Sequence, residues 1–519
     1  MEMIPLNSTA PGDGEASFDP RALLDAELLA SLGLDALVPA PLAAWRGLIV
    51  EAMAFFLQRL PPERLTEIIN DQVALPPDAP ATERMVALLA RCPMLHKLGQ
   101  VLARRQELHP DLRRQLQMLE SMPSTLPVAT IAARIREELG DDAQFTLADT
   151  ALAEGSVAVI LPFTWCEDGR NHDGVFKVLK PGIEERLAAE LALLPALAAF
   201  VERRGAELGL PALDYRGTLA SVGRLLDMEV HLDVEQQNMR RAEAFYRNDA
   251  GVFVPRLLPW CTPRITAMER VAGTKVSDAG SSADARAALG SRMLGALLAK
   301  PFWTRDEQAM FHGDLHGGNL LLTEDGRLAV IDWSLTAVLS KSEREALVAL
   351  AIGGLTLDVR QIQHALTSLG MRRSDDPRFS GIIDRSLDRL VASGRPVGFA
   401  WLVRLLDELA LAGATGFGEQ LSVFRKTWLA LSGVIHDLGT DIAADAPLIN
   451  AGLHRFLVEL PARLMARPDS RAFGTHVSNA DLARLTLAAW PTTLRYWSRF
   501  IGGTWASRWA TAGATLRHG

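Results

Sequence analysis

Residues 312–319 read His-Gly-Asp-Leu-His-Gly-Gly-Asn, and they place Asn319 five positions after Asp314. Two short apolar stretches then flank the turn sequence of residues 323–327, and Asp332 follows the second of them. Magnesium prefers oxygen ligands, and Asn319 and Asp332 could supply these beside the oxygens of a phosphate group. Asp314 could orient or deprotonate an attacking hydroxyl or water. This stretch therefore predicts a site for magnesium-dependent phosphate chemistry.

The same motif admits two other interpretations. His312 and His316 could ligate a transition metal, because alternate residues of a strand share a face. The motif could also be an ordinary polar turn. Only phosphate chemistry accounts for Asp332 further along the chain, so we favour it over both alternatives.

The rest of the chain divides by its hydrophobic pattern. Between about residues 21 and 125, apolar residues recur at three- and four-residue spacing, which predicts helices. Sequence rich in β-formers begins near residue 145, and the pattern after residue 280 is mostly helical again. Because kinase catalytic loops have the same Asp-to-Asn spacing, we predict the α+β class, with a two-lobed protein-kinase-like fold, an N-terminal helical extension and a helical C-terminal tail. The predicted segments are a disordered leader (1–20), the helical extension (21–125), a small lobe (126–275), a large lobe (276–477) and a basic, tryptophan-rich tail (478–519).

A lysine that contacts nucleotide phosphates is expected on a strand of the small lobe. Lys177 meets this expectation, because apolar residues flank it in the predicted strand 175–179. The alternative is an edge strand from which the lysine simply extends to solvent. An acidic partner would come from a helix, and Glu235 is the leading candidate.

The strands before Lys177 lack the glycine-rich lid that covers the phosphates in protein kinases. Residues 153–156 read Ala-Glu-Gly-Ser, with Gly155 as the single glycine. One glycine gives the backbone less freedom to wrap a phosphate. This departure disfavours ordinary protein-kinase activity.

Composition excludes several classes of protein. The 519 residues include 54 Lys and Arg against 62 Asp and Glu, a formal net charge of -8, so we expect no nucleic-acid partner. The three cysteines are far apart, which argues against a disulfide framework and favours a reducing, cytoplasmic compartment. No uninterrupted apolar run reaches the roughly 18–20 residues of a membrane span. The first residues lack the basic and apolar segments of a secretory signal.

The last thirty residues contain four tryptophans, four arginines and no acidic residue. Tryptophan and arginine on an amphipathic segment suit a membrane interface. The alternative is a C-terminal helix whose tryptophans pack on the large lobe, and Gly502 and Gly503 would interrupt one long interfacial helix. We therefore expect a cytoplasmic protein, with peripheral membrane contact through the tail as one of two open outcomes.

An ordered set of motifs resembles the UbiB/AarF-type atypical kinase-like family, whose members support the biosynthesis of ubiquinone and other isoprenoid lipids. Lys97 and Gln100 stand in Lys-Leu-Gly-Gln, which is similar to the family's K-x-G-Q motif. The other resemblances are an alanine-rich loop at 153–156, a lysine strand at 177–183, an E-x-D segment at 229–238, a hinge at 268–273 and a downstream helix at 424–434. The set runs in the family's order from about residue 90 to 440. His231 departs from it, because the family has aspartate there.

The resemblance implies that the chain binds ATP and Mg²⁺. The residues implied to contact the nucleotide are Ala153, Gly155, Ser156, Lys177 and Glu269. Glu235 would pair with Lys177. Asn319 and Asp332 would hold Mg²⁺, and Asp314 would face the transferred phosphoryl group.

The resemblance also implies an occluded cleft. Lys97 would pair with Glu229, and Gln100 would help fill the space where a protein kinase admits its peptide. Such a cleft favours ATP hydrolysis or a small or lipid substrate over protein phosphorylation. The implied function is a Mg-dependent ATPase or phosphotransferase that supports lipid or quinone metabolism, with a lipid or quinone precursor as ligand. This chain departs from the family pattern at His231 and in having Asp-Trp-Ser in place of Asp-Phe-Gly. We expect both departures to affect only the fine tuning of the activity and to leave the nucleotide site itself intact.

Two other functions fit part of the pattern. Aminoglycoside- and choline-phosphotransferase-like enzymes have similar loops, but they do not need the K-x-G-Q extension. A pseudokinase scaffold would bind nucleotide without turnover, but it has no chemical need for Lys177, Asp314, Asn319 and Asp332 together.

Overall fold

The computed structural model of the chain describes residues 40–102, 126–140, 144–210, 214–279, 282–394, 397–439, 442, 445–488 and 490–499. The predicted leader (1–20), the end of the helical extension (103–125) and the tail from residue 500 onward lie outside the described residues. The chain divides into two compact units. Unit 1 runs to Leu232 and includes Pro259–Ala267, and unit 2 comprises Asp233–Leu258 and the chain from Met268 onward.

Unit 1 begins with helices, as the apolar periodicity predicts. The helices are α1 (Arg46–Leu57), α2 (Pro62–Ala74), α3 (Ala81–Arg91), α4 (Pro93–Leu102), α5 (Val128–Leu139), α6 (Ile183–Leu191), α7 (Leu194–Glu207) and α8 (Tyr215–Asp227). The apolar faces of α1 to α4 share one buried core with α6 and α7. Proline begins α2, where the missing N–H has no helical partner to lose.

The sheet of unit 1 follows the helical extension. Its strands are β1 (Phe145–Leu147), β2 (Ala153–Glu154), β3 (Ala158–Glu167), β4 (Arg170–Leu179) and β6 (Ile265–Glu269), in the order β1-β3-β4-β6 with β2 paired to β3. The long antiparallel pair β3–β4 closes at Asp168 and Gly169, which both have the positive φ that a tight hairpin turn requires. Phe163 and Phe176 stack at 4.0 Å across this pair and form the centre of an aromatic cluster on one face of the sheet.

Unit 2 contains two small sheets. β5 (Val252–Phe253), β10 (Leu328–Val330), β9 (Leu320–Thr323) and β7 (Gly273–Lys275) pair in that order, and β8 (Gln308–His312) pairs antiparallel with β11 (Thr336–Ser340). β9 and β10 form the hairpin that the sequence predicts around residues 323–327. The segment between β8 and β9 contains the His-Gly-Asp motif, so the two sheets fix both ends of it.

The rest of unit 2 is helical. α9 (Leu232–Tyr246) leads into it, followed by α10 (Ala283–Leu294), α11 (Lys341–Leu355), α12 (Val359–Ser368), α13 (Pro377–Ser393), α14 (Phe399–Leu411), α15 (Glu419–Asp437), α16 (Asp445–Leu464) and α17 (Asn479–Leu487). α10 continues through a π-helical turn, Gly295–Ala299, to Phe302. Ser340 and Glu343 form a capping box at the start of α11. The predicted α+β class and helical C-terminal region are confirmed.

The C-terminal helices show how part of the predicted tail is placed. Residues 490–499 are helical, and Trp490 and Trp497 are exposed. Arg499 of the same segment binds Asp384 at 2.7 Å. The helix of residues 490–499 is thus docked on unit 2, and both expectations for the tail stay predictions. Within the described part of the chain, every helix is too short or too polar to cross a membrane.

Candidate functional site

His312, at the end of β8, is a structural residue of the motif. Its Nε2 lies 3.1 Å from the carbonyl oxygen of Ile331, so Nε2 carries the proton and donates, and Nδ1 accepts from the amide of Asp314 at 3.2 Å. Burial lowers the pKa of His312, which keeps the ring neutral. The ring joins the segment before Asp332 to the segment that contains Asp314.

Both ring nitrogens of His312 are thus engaged with the backbone. Among the described residues, no group of three or more His, Cys, Asp or Glu side chains is arranged to hold a metal ion. His316 accepts from the amide of Gly318 through Nδ1 at 3.1 Å. These contacts favour a structural role of His312 over the interpretation of the motif as a transition-metal site using His312 and His316.

Asp314 and Asn319 are both buried and bonded to each other. The amide nitrogen of the Asn319 side chain donates to the backbone carbonyl of Asp314 at 3.1 Å. This bond orients the side chain so that its other polar atom, Oδ1, is an oxygen of the kind that a hard cation binds. The backbone of Asn319 accepts from the amide of Ile331 at 3.1 Å, which fixes its distance from the segment that contains Asp332.

Asp332 has a left-handed backbone, with φ of 58°. Its Oδ1 accepts from the hydroxyl of Ser334 at 2.6 Å and from the amide of Ser334 at 3.3 Å. Non-glycine residues with positive φ are uncommon and concentrate at functional sites. The serine that replaces the family's glycine therefore holds the carboxylate in place.

Trp333 replaces the family's phenylalanine. Its indole is fully buried, donates from Nε1 to the carbonyl of Val330 at 3.2 Å and packs edge-on against His312 at 4.8 Å. Its backbone carbonyl accepts from the side chain of Asn238, on α9, at 3.1 Å. The larger ring is accommodated in the core of unit 2.

Sequence reasoning missed Lys426 of α15. Its Nζ lies 4.0 Å from Oδ1 of Asp314, and His316 Nε2 lies 4.0 Å from Oδ2. The downstream helix resemblance included residue 426 but gave it no role, because nothing in the local sequence links it to residue 314. Lys426 places a positive charge beside the carboxylate of Asp314.

Lys177 and Glu235 belong to different units. Lys177 lies in β4 opposite Ile160 of β3, and its neighbours Phe176 and Val178 face the buried side, so Lys177 projects from the other side of the sheet. Glu235, in the first turns of α9, is buried. Their pairing stays a prediction.

The alanine-rich loop is a tight connection between two strands. Ala153 and Glu154 form β2, and the amide of Gly155 donates to the carbonyl of Ala158 at 2.8 Å. Glu154, which sequence reasoning did not select, binds Lys180 at 2.7 Å in a largely buried ion pair. Burial lowers the pKa of Lys180 despite this partner. The pair ties the loop to the end of β4.

The structure brings Lys97 and Glu229 together. Nζ of Lys97, on α4, lies 2.5 Å from Oε1 of Glu229, and Oε2 of Glu229 accepts from the hydroxyl of Ser156 at 3.1 Å. The K-x-G-Q lysine is thus connected to the alanine-rich loop through one carboxylate. The side chain of Gln100 lies outside the described residues.

Two further predicted residues have identifiable partners. His231, which replaces the family's aspartate, is exposed and lies 3.6 Å from Asp227. Both carboxylate oxygens of Glu269, in the predicted hinge, accept from Arg256, at 3.1 Å and 3.2 Å. The contact of Glu269 with a nucleotide stays a prediction.

Comparison with known proteins identifies the domain. The family described as the ABC1 atypical kinase-like domain matches residues 118–366. The matched range includes β1 to β11 and every site residue described above except Lys97, Gln100 and Lys426. The two-lobed kinase-like fold is thereby shown.

Curated relatives agree with this match. A probable protein kinase UbiB of Xanthomonas campestris is 27% identical over 381 residues, which cover 67% of this chain and 65% of that protein. The chloroplast protein Activity of BC1 complex kinase 1 of Arabidopsis thaliana is 26% identical over 288 residues, covering 54% of this chain and 42% of that protein. The chain thus spans less than two thirds of the length of these relatives.

Among solved structures, a Mycobacterium tuberculosis protein determined in complex with erythromycin matches with a TM-score of 0.46 and 19% identity. The match covers 75% of this chain and 97% of that one. The domain match places residues 118–366 among the ABC1 atypical kinase-like domains, and together with the UbiB- and AarF-named relatives it confirms the predicted resemblance to the UbiB/AarF-type family.

Proposed function

We propose that this protein binds ATP and Mg²⁺ and acts as an ATPase or phosphotransferase that supports lipid or quinone metabolism. One observation supports this most directly. In unit 2, Asp314, Asn319 and Asp332 are tied to one another and to His312 by hydrogen bonds of 2.6–3.3 Å through neighbouring backbone groups. Preorganised oxygen atoms of this kind are what phosphoryl transfer requires from a protein.

The side chains present fit magnesium. The amide group of Asn319 uses its nitrogen on Asp314, so oxygen is its remaining polar atom, and Asp332 contributes a carboxylate. Mg²⁺ takes oxygen ligands and is commonly bound by one or two such groups together with substrate phosphates. When bound, Mg²⁺ would neutralise charge on the phosphates. Asn319 and Asp332 would hold it.

Lys177, whose predicted acidic partner is Glu235, would contact the nucleotide phosphates. The loop residues Ala153, Gly155 and Ser156 and the backbone at Glu269 would complete the contacts. In unit 2, Asp314 would orient or deprotonate the attacking group, and Lys426, 4.0 Å away, would place a positive charge beside it.

The K-x-G-Q region bears on which molecule accepts the phosphate group. Glu229 contacts both Lys97 and Ser156. These contacts support the proposal that the helical extension occupies the place where a protein kinase would bind its peptide substrate. A closed position favours water, or a small or lipid molecule, as acceptor. We therefore propose a lipid or quinone precursor as the ligand.

Trp490 and Trp497 are exposed and support peripheral membrane contact of the tail.

The test is Mg-dependent nucleotide binding and phosphate release by the full chain. Asp332→Asn should lose most Mg-dependent affinity for ATP. Asp325→Asn is the matched control, because Asp325 is an exposed carboxylate in the β9–β10 turn that binds Arg327 at 2.7 Å. Asp325→Asn should bind like the wild type.

The outcomes separate the alternatives. A wild type that does not bind nucleotide with Mg²⁺ would overturn the proposal. Binding without any phosphate release, with and without anionic liposomes, would identify a scaffold. Transfer of phosphate to a soluble amino alcohol or sugar would identify a small-molecule phosphotransferase. Phosphate release stimulated by anionic liposomes or by a lipid or quinone precursor is the result we expect.

A further inference from the structure

Helix α16 is firmly docked on unit 2 by one face. Glu459 accepts from the amide of Gly474 at 2.8 Å and from the hydroxyl of Thr475 at 2.9 Å, and it pairs with Arg463 at 3.3 Å. Trp303 donates from its indole to the carbonyl of Leu448 at 2.9 Å. All of these contacts lie on the buried side of α16. They hold the helix in one orientation on unit 2 and so determine which of its residues face outward.

The opposite side is an apolar stripe. Its members recur at spacings of four, four, three and four residues and are exposed as follows: Ile449 49%, Leu453 56%, Leu457 54%, Leu460 40% and Leu464 84%. Val458 and Met465 are also exposed, but they lie beside the stripe and not on it, because successive residues of a helix are about 100° apart. Alternating three- and four-residue spacing is the pattern by which one helix packs along another.

The stripe contains no charge. The residues of α16 that face solvent are Ala446, Ile449, Asn450, Leu453, His454, Leu457, Val458, Leu460, Pro461, Ala462 and Leu464, with no Asp, Glu, Lys or Arg among them. A helix that binds a membrane surface usually has Lys or Arg beside its apolar face. An uncharged face can meet an identical face without like-charge repulsion. The charge distribution therefore favours a second copy of the chain over a lipid surface.

The extent of the stripe also fits a dimer. The five exposed aliphatic side chains of the stripe amount to several hundred Å², comparable to the roughly 300–600 Å² of the largest apolar patch on a typical monomer. A standard interface buries about 800 Å² on each partner, with an apolar centre and a polar rim. The stripe is large enough to be that centre.

We infer that the chain forms a homodimer in which the apolar stripe of α16 packs against the same stripe of a second copy. Such a contact is isologous, with a two-fold axis across the paired helices. This inference is independent of the proposed nucleotide chemistry.

The test is sedimentation equilibrium of the full chain at several concentrations. The wild type should fit a monomer–dimer equilibrium. Leu453→Glu with Leu457→Glu should weaken dimerisation by about 100-fold, because four carboxylates would face one another in an apolar contact. Leu411→Glu is the control, since Leu411 is 88% exposed at the end of α14, and it should leave the dimer unchanged.

A second measurement keeps the inference testable if the double variant folds poorly. Leu457→Cys in a Cys166→Ser background should give a disulfide-linked dimer under mild oxidation, whereas Leu411→Cys should not. A wild type that stays monomeric at about 100 µM would overturn the inference. So would a monomer that sediments with anionic vesicles and loses this property in the Leu453→Glu, Leu457→Glu variant, because the stripe would then bind lipid.

Discussion

The Nζ atom of Lys97 lies 2.5 Å from Oε1 of Glu229, and the side chains are only 24% and 14% exposed. The second oxygen of Glu229 accepts from Ser156 at 3.1 Å. One carboxylate thus connects α4 of the helical extension to the loop after β2. Because solvent reaches these groups poorly, it screens their attraction less than it would at the surface.

This relationship predicts measurable coupling between Lys97 and Glu229. Lys97→Met and Glu229→Gln should each destabilise unit 1, since each leaves a partly buried partner uncompensated. In a double-mutant cycle, the coupling in the free energy of unfolding should be about 1–3 kcal/mol. Urea unfolding of the four proteins measures it.

His231 and Asp227 provide the control pair. Their side chains are 52% and 61% exposed and 3.6 Å apart, so a cycle on them should give about zero coupling. Equal coupling in the two cycles would contradict the view that burial makes the Lys97 contact the stronger one.

A second prediction concerns Glu190 of α6, which is completely buried. It accepts from Arg64 at 2.7 Å and from the amide of Met94 at 2.9 Å, and so joins the helical extension to the chain after β4. Glu190→Gln should cost about 3 kcal/mol or more of folding free energy, because it leaves the Arg64 cation buried without a counter-charge. Denaturant unfolding measures this loss.

Replacing both partners distinguishes loss of charge compensation from loss of packing. Arg64→Met with Glu190→Leu should be less destabilising than Glu190→Gln alone, since no buried charge remains. Glu202→Gln, in the exposed pair with Arg216, should change stability by less than about 0.5 kcal/mol. A double replacement that is worse than Glu190→Gln would show that packing dominates.

The parts of the site that the sequence predicts best are local in sequence. Asp314, Asn319 and Asp332 lie within one short stretch, where spacing alone identifies the chemistry. The contact of Lys426 with Asp314 joins α15 to the segment after β8, and no local pattern specifies such a contact. The same holds for Lys180 with Glu154, whose pairing depends on how the end of β4 meets β2.

Hydrophobic spacing has a related limit, which α16 shows. The leucines at 453, 457, 460 and 464 correctly indicate an amphipathic helix. Periodicity tells which residues share a face, but it does not tell what covers that face. In unit 2 the opposite face is the buried one, because Glu459 and Arg463 find partners there.

A third prediction concerns Ser334, whose hydroxyl donates to Asp332 at 2.6 Å. Ser334→Ala should weaken Mg-dependent ATP binding about five- to tenfold, because the loss of one hydrogen bond to a charged group costs on the order of 1–1.5 kcal/mol. Ser334→Thr retains the hydroxyl and should bind close to the wild type. Calorimetric titration with and without Mg²⁺ measures both. Equal affinity of the alanine variant would show that Ser334 does not position Asp332.

The fourth prediction concerns acid sensitivity of unit 2. Burial lowers the pKa of His476 to about 4, and the nearby Arg344 guanidinium opposes a positive ring further. Nε2 lies 2.8 Å from the carbonyl of Phe302 and 3.1 Å from Nη1 of Arg344. In the unfolded chain the pKa should be about 6.5.

Below pH 6.5 the unfolded state therefore binds a proton that the folded state does not, and stability falls as the pH falls towards 4. For His476 this difference should remove about 2 kcal/mol between pH 7 and pH 5. His476→Asn removes the titrating group, and asparagine tolerates the positive φ of 59° at this position. Urea unfolding at the two pH values should show a loss that is about 2 kcal/mol smaller in the variant, with the contribution of buried His312 remaining in both proteins. Equal losses would mean that His476 is not the group that acid protonates on unfolding.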